Sequence, residues 1–318
     1  MYYLGLDIGG TKLEAALVEA SGSVVHAERT PTHAAEGADA VLERIMALLA
    51  RVLVQGRVSQ VQISALGVGV PGAVEHETGL IHHLVNLPGW AGLPLRDILI
   101  ARFWLPVFMT NDANAAALGE YMFGNGIGSK NMLYVTASTG IGAGIIIDGK
   151  IVGGANGAAG EVGHTVLHAE GELCNCGNRG CWETLSSGPA IVKAARRYID
   201  EGATTAITEL AGHGPIKTEH VFAARQQGDA VAKLVVDRAL HCLGIGIGNL
   251  VNVLNPERVI IGGGVANAGE IVLSTVAGVV REMAYGPAKS VKIMPARLGA
   301  HAGVIGAAAV AMQSLGKD

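Results

Sequence analysis

A buried strand that runs into a glycine turn and comes back as a hairpin occurs twice in this chain, and that recurrence restricts the fold more than any other feature. Residues 2–8, YYLGLDI, read as a strand buried on both faces. The turn at Gly9-Gly10 leads into LEAALVEA, and Ser21-Gly22 turns the chain back as SVVHAERT. Residues 132–153 restart the pattern: MLYVTASTG enters a glycine turn, and GAGIIIDGKIV folds back at Asp148-Gly149. Helices and strands alternate after each copy. The first is followed by a helix over 38–54, with Val41, Ile45, Leu48, Leu49 and Val52 at helical spacing, then the strands ISALGVGV and PVFMT and the helix DANAAALGEYMF. The second is followed by helices over about 189–199 and 229–253, the strand RVIIGGG, a helix from about 268 and the small-residue helix GVIGAAAVAM. This order predicts an α/β protein of two structurally related halves. A length of 318 residues, long for one core, agrees. No low-complexity linker separates the halves, so a short hinge is expected near 110–125 or 285–300.

Composition narrows the partners. Half of the residues are hydrophobic and 16% are charged, which excludes general disorder. The net charge is −4, giving no electrostatic reason for a nucleic-acid or membrane-surface partner. MYYLGLDIGG lacks the features of a signal peptide, and no window has about 18 uninterrupted apolar residues. Four cysteines do not make a disulfide framework for a chain this size. A cytoplasmic location is expected.

Three glycine turns sit at strand ends. LDIGGTK departs from a P-loop because Gly10-Thr11-Lys12 stands where Gly-Lys-Thr is needed, and because a strand follows it. What remains is a tight hairpin whose backbone N–H groups can approach an anion, with Asp7 at its rim able to hold Mg²⁺. Alone, it reads equally as an ordinary hairpin. GVGVPG at 67–72 matches a dinucleotide fingerprint in letters, but no acid follows about 20 residues on. ASTGIGAG at 137–144 and the glycines 262–264 are the other two turns. Together the turns suit a nucleotide gripped by two lobes.

Three cysteines fall within eight positions, in HTVLHAEGELCNCGNRGCWE at 164–183. His164, Cys174, Cys176 and Cys181 offer one imidazole and three thiolates, a set suited to tetrahedral Zn²⁺. Unliganded thiols crowded into a polar, glycine-rich loop would be an oxidation hazard. With four protein ligands the ion is structural. Glu161 and Glu183 bracket this loop and, beside His164, suit a ligand that offers several hydrogen-bond donors; each read singly is also a solvated loop charge. Asn111 and Asp112 follow a strand at a helix start, where capping is the default for an isolated Asp.

DIGGTK, GVPG, NLPGW, NDANAAALGE, STGIGAG, GEVGH, CNCGNRGCWE and VIIGGG stand in the order found in the ROK family of sugar kinases, repressors and uncharacterised relatives. The chain resembles that family over essentially its whole length. The resemblance implies an actin-like, ribonuclease-H-like fold with ATP in a cleft and the sugar deeper, near the hinge. It implies an N-terminal lobe over 1–115, with a C-terminal helix over 300–318 packing back onto it, and a second lobe over 116–299 carrying the zinc loop. Asp112 becomes the catalytic base and Asn111 a sugar ligand. Pro71, Gly72 and Asn86 would line the pocket, and Glu161, His164 and Glu183 would hold the sugar. Mg²⁺ would sit near Asp7, with Gly9, Gly10, Thr11, Lys12, Thr139 and Gly140 around the phosphates. Gly262, Gly263 and Gly264 would pass the adenosine. The zinc-binding members share the spacing of His164, Cys174, Cys176 and Cys181. Ala137 departs from the larger aliphatic residue usual before Ser-Thr-Gly, a matter of packing.

NLPGW with TNDANAAALGE looks most like the family's bacterial glucokinase branch, which implies phosphorylation of glucose at the 6-hydroxyl. The alternative is an N-acetylmannosamine or N-acetylglucosamine kinase. A repressor would carry a helix-turn-helix ahead of the first strand, for which Tyr2 leaves no room, and a non-catalytic sensor would be expected to lose Asp112 or the turns. A homodimer or homotetramer is expected.

Overall fold

A computed structural model describes residues 1–75, 78–83 and 87–316. The chain divides into two compact units. Unit 1 comprises Met1–Lys130, Gly144–Gly160 and Ala296–Asp318; unit 2 comprises Asn131–Ala143 and Glu161–Pro295.

Unit 1 begins with β1 (Tyr2–Ile8), β2 (Lys12–Glu19) and β3 (Val24–Pro31). Helix α1 (Ala38–Gln55), β4 (Ile63–Val70), the short pair β5 (Ala73–Val74) and β6 (Ile81–His83), α2 (Leu95–Phe103), β7 (Val107–Asn111) and α3 (Asp112–Phe123) follow. The sheet order is β3-β2-β1-β4-β7, the first three antiparallel and β1, β4 and β7 parallel.

Strand alternation decides what covers each face. Leu4, Leu6 and Ile8 of β1, with Leu66, Val68 and Val70 of β4, point to the α1 side and join Val41, Ile45, Leu48, Leu49 and Val52 in one buried cluster. Fully burying each of these aliphatic side chains is worth about 1.5–3 kcal/mol. The opposite face carries Tyr3, Gly5 and Asp7 on β1 and Ala65, Gly67 and Gly69 on β4. Its cover is α10 (Ala302–Leu315), whose Val304, Ala308 and Ala311 cluster with Tyr3, Ala16, Val18 and Ala65. The glycines set how close the helix comes. A Cβ on Gly5 would lie 2.0 Å from the Val304 carbonyl oxygen, and one on Gly67 1.7 Å from that of Ala307. In the same way a Cβ on Gly306 would lie 2.2 Å from the Ala115 oxygen of α3.

Glu120 of α3 is fully buried, and its carboxylate accepts backbone N–H bonds from Asn125 (2.9 Å), Arg297 (2.6 Å) and Leu298 (2.9 Å). Those bonds offset the cost of burying the charge and fix the segment that leads into α10.

The second sheet repeats the plan. It consists of β8 (Met132–Ala137), β9 (Ile141–Ile147), β10 (Lys150–Ile151), β11 (Arg258–Gly262) and β12 (Lys292–Pro295), in the order β10-β9-β8-β11-β12, with β8, β11 and β12 parallel. The unit boundary passes through β9. Both sheets therefore read third, second, first, fourth, fifth, as two related halves should, with β12 a strand that the sequence reading does not include. Asp148 (φ 50°) and Gly149 (φ 75°) make the expected β9–β10 turn.

The helices of unit 2 are α4 (Glu183–Ser186), α5 (Gly188–Asp200), α6 (Ala206–Ala211), α7 (Thr218–Gln226), α8 (Ala230–Leu254) and α9 (Glu270–Met283). Among the described residues α8 is the one helix long and apolar enough to cross a membrane. Val235, Val236, Leu240, Leu243, Ile247 and Val251 make it a core helix of its unit.

Candidate active site

The first glycine turn closes by a bond from the Gly9 N–H to the Lys12 carbonyl at 2.9 Å. Thr32 clamps it from β3's end: its hydroxyl donates to the Gly9 oxygen at 2.6 Å, and its N–H to the Thr11 oxygen at 3.0 Å. Thr32 is fully buried and carries no signal in the sequence. Thr11 and Lys12 are exposed, and Gly9 and Gly10 half-buried.

Asp7 lies one strand-end away, on the α10 face. Its carboxylate fits a space lined by glycine: a Cβ on Gly303 would fall 2.3 Å from Oδ2, and one on Gly69 3.8 Å from Oδ1. Burial pushes the Asp7 pKa up to about 6, with Lys12 lowering it, Glu14 raising it and Arg29 lowering it in smaller measure. A carboxylate held this way fits a divalent cation that replaces its proton.

Gly69 also borders Asp112, whose Cα would be 3.7 Å from the same added Cβ. Asp112 is the first residue of α3 and is exposed; its Oδ1 accepts the Ala113 N–H at 2.7 Å. Asn111 is the cap. Its Oδ1 accepts from Ala113 N–H (2.8 Å) and Asn114 N–H (3.4 Å), while its Nδ2 donates to the Gly72 carbonyl at 3.1 Å. Asn111 thus takes the cap position, and the exposed Asp112 carboxylate shares the Ala113 N–H with it. Asn111 also pins the Pro71-Gly72 turn, where Gly72 has φ 113°. Asn86, the remaining expected pocket residue, lies outside the described residues.

Unit 2 gathers the second and third glycine turns. In the second, the Ser138 N–H bonds to the Gly140 carbonyl at 2.9 Å, and the Ser138 carbonyl accepts from Gly188 N–H at 2.8 Å. Ser138 and Thr139 are exposed. The third turn packs against it: a Cβ on Gly263 (φ 87°) would lie 2.4 Å from the Ala137 oxygen, and one on Gly264 3.7 Å from Ser138 Oγ. Only glycine allows that approach at position 263.

Glu183 joins this turn to the cysteine loop. Its Oε2 accepts the Ile141 N–H at 3.1 Å, and a Cβ on Gly140 would lie 2.3 Å from the same oxygen. Cys174 Sγ stands 4.0 Å from Oε1. Within the loop the ligand atoms of His164, Cys174, Cys176 and Cys181 all lie within 4.8 Å of one another. Cys176 Sγ to Cys181 Sγ is 3.6 Å, and Cys174 Sγ to His164 Nδ1 also 3.6 Å. Tetrahedral zinc with Zn–S of about 2.3 Å needs S···S of about 3.8 Å, so the set fits the ion closely. The loop's own backbone holds it, through Cys174 N–H to Asn178 O (2.8 Å) and Gly177 N–H to Cys174 O (3.0 Å). His164 divides its ring: Nδ1 faces the thiols, while Nε2 is 4.0 Å from Glu161 Oε2. Glu161 is exposed and Glu183 half-buried.

The structure therefore brings Asp7, Asp112, Asn111 and the first turn together in unit 1. It brings Glu161, His164, Glu183, the cysteines and the other two turns together in unit 2. Thr32, Glu14 and Gly303 are site neighbours that reading along the sequence misses.

The model of the ROK family matches residues 3–314. A glucokinase of Halalkalibacterium halodurans is 40% identical over 96% of this chain and 93% of its own length. The crystal structure of a ROK family glucokinase from Streptomyces griseus in complex with glucose and AMPPNP superposes with a TM-score of 0.86 at 33% identity, covering 98% of this chain and all of that one. A ROK hexokinase from Thermus thermophilus gives 0.84 at 34% identity, over the full length of both. With motifs, topology and these likenesses in agreement, the chain belongs to the ROK family and has its actin-like α/β fold.

Proposed function

We propose that this protein is an ATP-dependent hexose kinase that transfers the γ-phosphate of ATP to the 6-hydroxyl of glucose. The observation that carries the reading is the exposed Asp112 carboxylate beside the Asp7 cradle at Gly69, at the start of α3, in a chain 40% identical to a glucokinase. Asp112 takes the proton of the 6-hydroxyl as its oxygen attacks the γ-phosphorus; the O6–P bond forms, the bond to the bridging oxygen breaks and ADP leaves. Pro71 and Gly72, held by Asn111, and Glu161, His164 and Glu183 orient the sugar through its hydroxyls.

The amides of Gly9, Gly10 and Thr11 with Lys12, and those of Thr139 and Gly140, meet the phosphates, while Gly262, Gly263 and Gly264 leave room for adenosine. Asp7 would hold Mg²⁺, which would supply charge neutralisation on the phosphates. His164, Cys174, Cys176 and Cys181 would hold Zn²⁺, which with four protein ligands would be structural and would fix the His164 ring and, through Cys181, the start of α4 at Glu183.

The test is ADP release from Mg·ATP over glucose, mannose, fructose, N-acetylglucosamine and N-acetylmannosamine, with NMR locating the phosphate on the product. Glucose 6-phosphate as the preferred product is expected. Preference for an acetylated sugar would replace glucose while keeping the chemistry, and no turnover on any of them would overturn the reading.

A further inference from the structure

Asp7, Glu14 and Arg29 form a ladder across three strands. The register pairs Asp7 with Glu14 between β1 and β2, and Glu14 with Arg29 between β2 and β3. Directly paired residues project to one face of a sheet, and two carboxylates paired this way repel each other. The segment entering α10 lies along the ladder, one contact per rung. Arg29 donates to the Ala300 carbonyl, His301 Nδ1 stands 2.7 Å from Glu14 Oε1, and Gly303 backs the Asp7 carboxylate. An ionised carboxylate only accepts, so in this bond the His301 Nδ1–H is the donor.

Glu14 is the centre of the arrangement. It is 1% exposed, and its Oε2 takes Arg29 Nε at 2.8 Å and Lys12 Nζ at 3.5 Å. One buried carboxylate thus joins the lysine of the first glycine turn, the edge strand β3 and the entry to α10. Burying a carboxylate costs several kcal/mol unless its oxygens are filled by charged donors. A sheet that needed only a core would place an apolar residue between Asp7 and Arg29.

We propose that Glu14, together with Arg29 and His301, is a positioning residue for the nucleotide half of the reaction. It holds Lys12 at the phosphate turn and docks residues 300–303 so that Asp7 keeps its orientation. The inference rests on the kinase reading above, and none of the three residues is placed against the sugar or the reacting atoms. Glu14→Gln keeps the side chain's shape, removes its charge and turns an amide toward donors that need an acceptor. A role confined to stability would lower the melting temperature and leave ligand affinities alike. A positioning role separates the two ligands.

Calorimetric titration of the full-length, zinc-loaded protein with Mg·AMPPNP and, separately, with glucose reads that separation without turnover. Glu14→Gln is expected to weaken Mg·AMPPNP about tenfold or more, the scale of a lost charge-assisted hydrogen bond, and to leave glucose within about twofold. His301→Gln, at a half-exposed site, should shift the same ligand in the same direction by a smaller factor, and serves if Glu14→Gln does not fold. Glu28→Gln, which removes the pair with Arg51 on the neighbouring part of β3, should change neither affinity. Wild type that binds Mg·AMPPNP, with variants that bind it equally well or lose both ligands to the same extent, overturns the inference. Wild type that fails to bind Mg·AMPPNP overturns the kinase reading itself.

Discussion

Gly303→Ala adds one methyl group where the first turn of α10 meets Asp7. The new Cβ would lie 2.3 Å from Asp7 Oδ2, 2.6 Å from Cγ and 3.1 Å from Cβ. Comfortable contact begins near 3.5 Å, so the carboxylate must move by about 1 Å or more. Elsewhere the same methyl group helps. Alanine is up to about 1 kcal/mol better than glycine in a helix, less so in the first turn. At a buried carboxylate the overlap costs about 1–3 kcal/mol, more than the helix gain, so the melting temperature is expected to fall modestly. The ratio kcat/KM for Mg·ATP should fall about 100-fold, the scale set by a 1 Å misplacement at a reacting site, or roughly 2.7 kcal/mol of transition-state stabilisation. Steady-state rates at saturating glucose, with Mg·ATP varied, beside a thermal melt of the same sample, measure both. Near-wild-type kcat/KM with an unchanged melt would refute the reasoning, because it would mean that the Asp7 position has no bearing on catalysis.

Three further expectations follow from the same geometry. Because the Asp7 pKa is raised from 3.8 to about 6, the native state keeps that proton after the unfolded chain has lost it, so stability falls as pH rises from about 4 to about 6. Without added Mg²⁺, denaturant titrations should show Asp7→Asn gaining on wild type between pH 4 and pH 7 by up to about 3 kcal/mol, and a pH-independent difference would sink the assignment. Gly140→Ala puts a Cβ 2.3 Å from Glu183 Oε2 and should raise the KM for glucose about tenfold or more while the fold survives; an unchanged KM would mean that Glu183 has no part in holding the sugar. Cys176→Ser should take zinc from about one ion per chain to a small fraction of that and lower the melting temperature, as read by atomic absorption and a thermal melt. Full zinc content in the variant would remove Cys176 from the ligand set.

Much of this was legible along the chain because it is local. The continuous apolar runs YYLGLDI and ISALGVGV, the turn residues Asp148-Gly149 and the helical spacing of Val41 to Val52 each report their element within a few positions. The metal loop is local too, with Cys174, Cys176 and Cys181 meeting across a small hairpin. What the chain hides depends on register and on packing between distant segments. Nothing in ERTPTH marks Thr32 as the clamp of the first turn. The ladder of Asp7, Glu14 and Arg29 appears only when three strands are aligned. Glu183 reads as a loop charge until it is seen to accept the Ile141 N–H, a bond across 42 positions. Gly303 reads as one more small residue in HAGVIGAA until Asp7 lies against it.

The account turns on Asp112. The direct measurement is single-turnover phosphoryl transfer from Mg·ATP to glucose by Asp112→Asn, with the affinity for each substrate measured on the same protein. General-base catalysis of this kind is worth about 10²–10⁴-fold. The account predicts a transfer rate lower by at least that factor, with both affinities within about twofold of wild type. A rate close to that of wild type would contradict it and leave Asp112 a residue of the helix start and nothing more.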